Sequence, residues 1–229
     1  MPHEFDKRSL LAEHPLFGQL APDELDRLVT YMRVARHPAR TVLFRKGDPG
    51  TNMMMVRQGR IKICTHSEDG KELVLNLINP GEVFGEMALL DGADRSADAV
   101  TLEECELLVL ERRDFIPFLL AHPEACLRLL KVLCSRVRRT SELLEEAMFL
   151  EGPSRLAKRL VYLAEAFGTP VADGIRIDIP HLSQQQIGSL VGMSRESMNK
   201  QLRQWRREDL IRIEDGYYVV RDLDVLRTM

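Results

Sequence analysis

The alternation of apolar and polar residues changes character along the chain. Residues 9–32 predict helix: Leu25, Leu28, Val29 and Met32 recur at helical spacing, and Pro22 followed by Asp23 and Glu24 has the chemistry of a helix start. From about 34 to 112 the texture shifts to short alternating runs: Thr41–Phe44, Met53–Arg57, Arg60–Thr65, Glu72–Ile78 and Glu106–Leu110. Turn signals separate them, at Lys46-Gly47-Asp48-Pro49-Gly50, Gln58-Gly59, Glu68-Asp69-Gly70, Asn79-Pro80-Gly81 and Asp91-Gly92. Short strands at regular intervals with glycine-rich turns indicate an antiparallel β-barrel or roll.

Residues 114–150 return to the helical period, with Pro123 suited to a helix start. Leu127, Leu130, Cys134, Val137, Ser141, Leu144 and Met148 follow at spacings alternating between three and four, the seam of a paired helix with charged flanks. The competing reading is one amphipathic helix packed on its own barrel; the length of the pattern favours a dimer seam, in which Ser141 is a weak spot. Gly152-Pro153 interrupts the chain before helical residues 154–167, and Ile175–Ile179 reads as a strand. Residues 183–190 and 194–207 read as two helices around Val191-Gly192-Met193. Ile211–Glu214 and Tyr217–Val220 flank Asp215-Gly216, a strong hairpin signal.

Composition narrows the function classes. The 229 residues suffice for two domains, and 45% hydrophobic with 29% charged residues is globular. No apolar run approaches a membrane span, and the charged start MPHEFDKRSLLAEHPLF lacks a secretion core, so a cytoplasmic protein with no membrane partner is expected. Cys64, Cys105, Cys126 and Cys134 form no C-x-x-C pair and show no zinc spacing, and reduced thiols are expected. No nucleophile–base set, metal cluster or P-loop is visible, which argues against an enzyme.

The net charge of −3 is unevenly placed. Residues 1–150 carry 20 basic and 24 acidic side chains, whereas residues 151–229 carry 12 and 11. Within 194–207, Arg195, Lys200, Arg203, Arg206 and Arg207 face only Glu196. Charge placed on one helix suits a specific nucleic-acid reader.

The segment LSQQQIGSLVGMSRESMNKQLRQWRRE sharpens that reading. Ser183 with Gln186 is a capping-box pattern; Ile187, Leu190 and Val191 supply an apolar face, and Gly192 permits a tight turn. Ser194 can cap the second helix, whose Met198, Leu202 and Trp205 point inward. Arg195, Glu196, Asn199 and Lys200 remain on its exposed first turns, with Arg203 beyond and Gln184 and Gln185 opening the preceding helix. Arginine and lysine suit guanine O6 and N7, and glutamate suits cytosine N4.

A second informative stretch is GEVFGEMALLDGADRSADAVT, residues 81–101. Gly85 allows close backbone approach, Glu86–Leu90 can form a helical turn with amides toward an anion, and a buried Glu86 could accept from a sugar hydroxyl. Arg95 can fork onto a phosphate, with the Ser96 hydroxyl donating beside it.

On these residues the chain resembles the CRP/FNR family of regulators, over roughly residues 15–220. Gly85 to Leu90 followed by Arg95-Ser96 is similar to the phosphate-binding cassette of cyclic-nucleotide-binding domains, and IGSLVGMSRES to the family's helix-turn-helix. The resemblance implies that Gly85, Glu86, Met87 and Ala88 meet the ribose and phosphate edge, and that Arg95 and Ser96 hold a cyclic phosphate. It implies that Thr140 and Ser141 contact an adenine, the serine from the opposite subunit, which gives the polar seam residue a role. Arg195 and Glu196 would read bases; Lys200 stands where the family's type member has arginine, which changes the contact geometry.

The fold class so implied is α+β: an antiparallel β-roll with flanking helices over residues 1–122, a dimerisation helix and hinge over 123–150, and a winged helix-turn-helix over 151–229. The implied effector is cAMP. The implied partners are double-stranded DNA at a near-palindromic site, a second copy of the chain, and RNA polymerase. Other effectors, among them cGMP, a cyclic dinucleotide or none, remain alternatives, as does a regulatory subunit acting on a protein. An N-terminal cysteine cluster is absent, which argues against an iron–sulfur sensor, and His3, His14, His37, His66, His122 and His181 show no pattern marking a haem ligand.

Overall fold

A computed structural model of the chain describes residues 7–14, 17, 18, 20–70, 72–179 and 184–229. Two compact units emerge: Met1–Thr65 with Leu75–Arg139, and His66–Val74 with Thr140–Met229. No helix among the described residues is long and apolar enough to cross a membrane.

The first unit opens with α1 (Lys7–Glu13) and α2 (Pro22–Tyr31). The helical block expected over 9–32 is therefore two helices. Between them the amides of Phe17 and Gly18 donate to the His14 carbonyl and Leu20 donates to Phe17. This turn lets Phe17 and Leu20 reach the same core as Leu11 and Leu25, which one straight helix would not allow. Pro22 does start α2, and the Glu24 carboxylate accepts from the Ala21 amide at 2.8 Å.

Eight strands follow: β1 (Arg33–His37), β2 (Val42–Phe44), β3 (Asn52–Gln58), β4 (Ile61–His66), β5 (Glu72–Ile78), β6 (Val83–Phe84), β7 (Asp98–Thr101) and β8 (Cys105–Glu111). Helix α3 (Glu86–Asp91) interrupts them, where a helical turn was expected. The strands form two four-stranded sheets, in the orders β1-β8-β3-β6 and β2-β7-β4-β5, and the pairings defined between them are antiparallel. Strands β1, β6 and β7 are additional to the expected runs. Val83–Phe84 is too short to alternate, and Asp98–Thr101 buries three of its four residues.

The central strands β3 and β8 are apolar on both faces because both faces are covered. Met54, Val56, Leu107 and Val109 pack with Ile61, Phe84 and Ala99 in one core. Met53, Met55, Leu108 and Leu110 face the other way and pack with Leu28, Leu89, Phe115 and Leu129. Helix α4 (Arg112–Ala121) follows, and α5 (Pro123–Phe149) begins in this unit and runs on past its last residue, Arg139, so the block read as helical over 114–150 is split at His122.

The second unit contains α6 (Gly152–Phe167), β9 (Gly168–Val171), β10 (Gly174–Ile177), α7 (Gln184–Val191), α8 (Arg195–Arg207), β11 (Ile211–Glu214), β12 (Tyr217–Val220) and α9 (Leu223–Arg227). Its sheet runs β11-β12-β10-β9. Helix α6 buries Leu156, Leu160, Leu163 and Phe167 on one face, and α8 buries Met198, Leu202 and Trp205. The β11–β12 turn is the expected Asp215-Gly216, both at positive φ. The strand expected over Ile175–Ile179 ends at Ile177, and β9 and α9 are additional; Asp222 caps α9 by accepting from the Asp224 and Val225 amides.

Candidate functional site

Six of the residues singled out in the sequence come together in the first unit. Gly85, at φ 76°, precedes α3, and a Cβ there would lie 2.6 Å from Arg95 Nη1. Glycine is thus required twice, by conformation and by the closeness of the arginine. Glu86 and Ala88 are buried, while Met87 and Ser96 stay exposed with Ser96 Oγ 4.0 Å from Met87 Sδ.

Arg95 is only 5% exposed. Its Nη1 donates to the Gly85 carbonyl at 2.7 Å, its Nη2 donates to Asn52 Oδ1 at 3.0 Å, and its Cζ lies 4.2 Å from the centre of the Phe44 ring. Among the described residues no carboxylate pairs with it, and its buried Nε has no partner. Burial pulls its pKa below the ordinary arginine value, opposed by the more distant charges of Glu86, Asp48 and Glu111. A buried guanidinium held by neutral oxygens keeps its full charge available to an anion.

Glu86 is 1% exposed and pairs with Arg136 of α5, which also donates to the Val83 carbonyl. The second carboxylate oxygen of Glu86 is buried without a partner. It is an acceptor still to be used, of the kind a ligand hydroxyl satisfies. Arg136 lies one helical turn before Thr140. Thr140 and Ser141 are exposed on α5, in the second unit.

Asn52, Phe44, Arg136 and Gly50 belong to this site and were not picked out in the sequence. A Cβ on Gly50 would meet Ala88 Cβ at 2.1 Å, so the loop before β3 can close on α3 only with glycine there. The sequence marked Gly50 as part of a turn but could not show what the turn approaches.

The apolar seam of α5 does not pack on the β-roll. Leu127, Leu130, Val137, Leu144 and Met148 are between 54% and 72% exposed, and Cys134 is exposed among them. The face that α5 buries is a different one, with Ala125 and Leu129. This removes the reading in which the seam covers the helix's own barrel.

In the second unit α7 and α8 meet around Gly192, at φ 65°. Ser194 caps α8 by accepting from the Ser197 amide at 3.1 Å. The capping-box partner Ser183 lies outside the described residues, as do the side chains of Gln185 and Gln186; Gln184 is half-buried at the start of α7. Arg195, Glu196, Asn199, Lys200, Arg203, Gln204 and Arg207 line one open surface along α8. No ion pair of Arg195, Lys200, Arg203, Arg206 or Arg207 occurs among the described residues. Other arginines of the unit are paired: Arg176 with Asp178, Arg212 with Asp173 and Glu214, Arg221 with Asp209, and Arg227 with Glu165 and Asp224. Cations left without ion pairs along one helix are the footprint expected for phosphate and base contacts.

The sequence matches two family models: a cyclic nucleotide-binding domain over residues 34–122 and a Crp-like helix-turn-helix domain over residues 154–229. It is 31% identical over 217 residues to a CRP-like cAMP-activated global transcriptional regulator of Mycobacterium tuberculosis, covering 95% of this chain and 96% of the relative. It is 32% identical over 212 residues to the cyclic AMP receptor protein of Thermus thermophilus, covering 93% and 94%. Among solved structures, the c-di-GMP-responsive global regulator CLP of Xanthomonas campestris superimposes with a TM-score of 0.77 at 25% identity, covering 88% of this chain and all of that one.

Proposed function

The chain belongs to the CRP/FNR family of transcription regulators, and from that premise we propose that it is a homodimeric, sequence-specific DNA-binding protein whose DNA affinity is set by cAMP. The observation that carries the effector reading is the pair of unused polar atoms in one cradle: the unpartnered Nε of Arg95, whose guanidinium has no direct carboxylate partner, and the orphaned Glu86 oxygen. A cyclic nucleotide offers one negative charge for the first and a ribose hydroxyl for the second.

In this reading Arg95 and Ser96 hold the cyclic phosphate, and Gly85, Glu86, Met87 and Ala88 meet its ribose edge. Thr140 and Ser141 meet the base, the serine from a second copy joined along the exposed seam of α5. Residues 1–122 bind the effector, 123–150 dimerise and 151–229 bind DNA. Arg195, Glu196, Asn199 and Lys200 enter the major groove; Gln184, Gln185, Ser194 and Arg203 flank them at the phosphate backbone. Two such helices in a symmetric dimer would meet half-sites about 34 Å apart on a near-palindrome. Ligand binding raises DNA affinity to the extent that cAMP prefers the DNA-competent state. Where it activates, RNA polymerase is the partner the family reading implies, and the protein is not an enzyme and works in the cytoplasm.

A second reading keeps this architecture with a cyclic dinucleotide as effector, favoured by the likeness to the c-di-GMP-responsive regulator. Calorimetric titration with cAMP, cGMP and c-di-GMP separates the two. Saturable binding of cAMP alone supports the first, and binding of c-di-GMP alone replaces it by the second. No heat with any of the three, from a folded protein, leaves a DNA-binding regulator without a cyclic-nucleotide effector.

A further inference from the structure

The environment of Arg95 contains a residue that no cassette motif includes. Asn52 is the first residue of β3, in register with Glu111 on β8. Its Oδ1 accepts from Arg95 Nη2 at 3.0 Å, at the end of the side chain opposite the Gly85 carbonyl contact on Nη1. The Phe44 ring covers the guanidinium face. Two hydrogen bonds and a ring therefore fix the plane and position of the arginine before any ligand arrives, and every one of these partners is neutral.

That neutrality matters. A carboxylate at position 52 would give the same geometry and a stronger hydrogen bond, and it would compensate a buried cation at a cost to anion affinity. Aspartate has the same shape as asparagine, so the exchange adds a charge and removes only the Nδ2–H donors. We infer that Asn52 is a positioning and specificity-determining residue of the anion site: it holds Arg95 in place as a neutral acceptor and leaves the arginine charge for the phosphate of the ligand. The inference rests on the effector reading above and deepens it.

The test compares the wild-type protein with Asn52→Asp and Asn52→Thr, using cAMP as the titrant and the melting temperature of the ligand-free protein as a second readout. An added negative charge a few ångströms from the bound phosphate should weaken binding by on the order of 100-fold at an effective dielectric near 20. The ligand-free Asn52→Asp protein should melt no lower than wild type, since it gains an ion pair with Arg95. Asn52→Thr adds no charge but leaves only a hydroxyl one bond nearer the backbone, so it should bind more weakly than wild type by about tenfold and more tightly than Asn52→Asp. Adenosine, which has the base and sugar without the phosphate, should compete equally weakly against all three proteins.

Asn52→Asp binding cAMP as tightly as wild type would overturn the inference while leaving the effector reading intact. So would loss of affinity accompanied by a lower melting temperature in both variants, which would make Asn52 merely structural. A wild-type protein that binds no cAMP would overturn the effector reading itself, and the inference with it.

Discussion

Arg95 and His14 show how burial sets the behaviour of single side chains in opposite ways. Arg95 is held in place by Gly85, Asn52 and Phe44 without a direct carboxylate partner, while the charges of Glu86, Asp48 and Glu111 oppose the burial that lowers its pKa. Arg95→Ala removes a charge-assisted contact worth about 1.5–3 kcal/mol, so cAMP affinity should fall by roughly 10- to 150-fold in calorimetry. Unchanged affinity would place the ligand elsewhere. His14, by contrast, is 6% exposed, rests against Phe17 and hydrogen-bonds the Gly81 backbone. Burial pushes its imidazole down to about 4, from 6.5 when unfolded. Between those values the unfolded chain binds the extra proton, so this stabilisation is complete above about pH 6.5 and is lost as pH falls toward 4, by on the order of 3 kcal/mol. Denaturant midpoints measured from pH 7 to 4.5 should therefore fall more steeply for wild type than for His14→Gln; parallel profiles would rule out His14 as the cause.

Among elements, α5 and α8 carry the predictions. The seam of α5 presents Leu127, Leu130, Val137, Leu144 and Met148 to solvent in the single chain, a contiguous apolar stripe that a second helix would cover. Val137→Asp puts a charge in the middle of that stripe and should convert the dimer to monomer in sedimentation at micromolar concentration, without loss of helical circular dichroism. A variant that stays dimeric would move the interface off α5. For α8, Ser194 is the cap that holds the first turn, where Arg195 and Glu196 lie. Ser194→Ala should destabilise the second unit by about 1 kcal/mol in thermal or denaturant unfolding.

For the whole molecule, the distribution of charge decides how DNA is held. The chain is net negative, yet five cations of α8 have no ion-pair partner among the described residues. Affinity for DNA should therefore fall steeply with salt, on a log–log slope set by the phosphates neutralised. Arg203→Ala should reduce that slope by about 1 and weaken binding to all sequences alike, whereas Arg195→Ala should cost about 1–3 kcal/mol and relax discrimination at one base position. Fluorescence anisotropy across a salt series distinguishes the two; identical effects would mean that α8 does not divide reading from anchoring in this way.

Much was legible in the sequence because the governing signals are local. Asp215-Gly216 dictates a hairpin turn, the spacing of Met198, Leu202 and Trp205 dictates the buried face of α8, and Glu86–Leu90 after Gly85 forms the expected helical turn, α3. Other features depended on contacts between residues far apart in the chain. The break between α1 and α2 follows from where Phe17 and Leu20 must pack, and β3 and β8 are apolar on both sides because helices cover the outer face. The seam of α5 could be seen as a periodicity, but whether it faced its own barrel or solvent was settled only by Ala125 and Leu129 taking the buried side. Asn52 met Arg95 across 43 residues of chain. A side chain's type states which partners it can satisfy, and only the folded chain decides which of them come within reach.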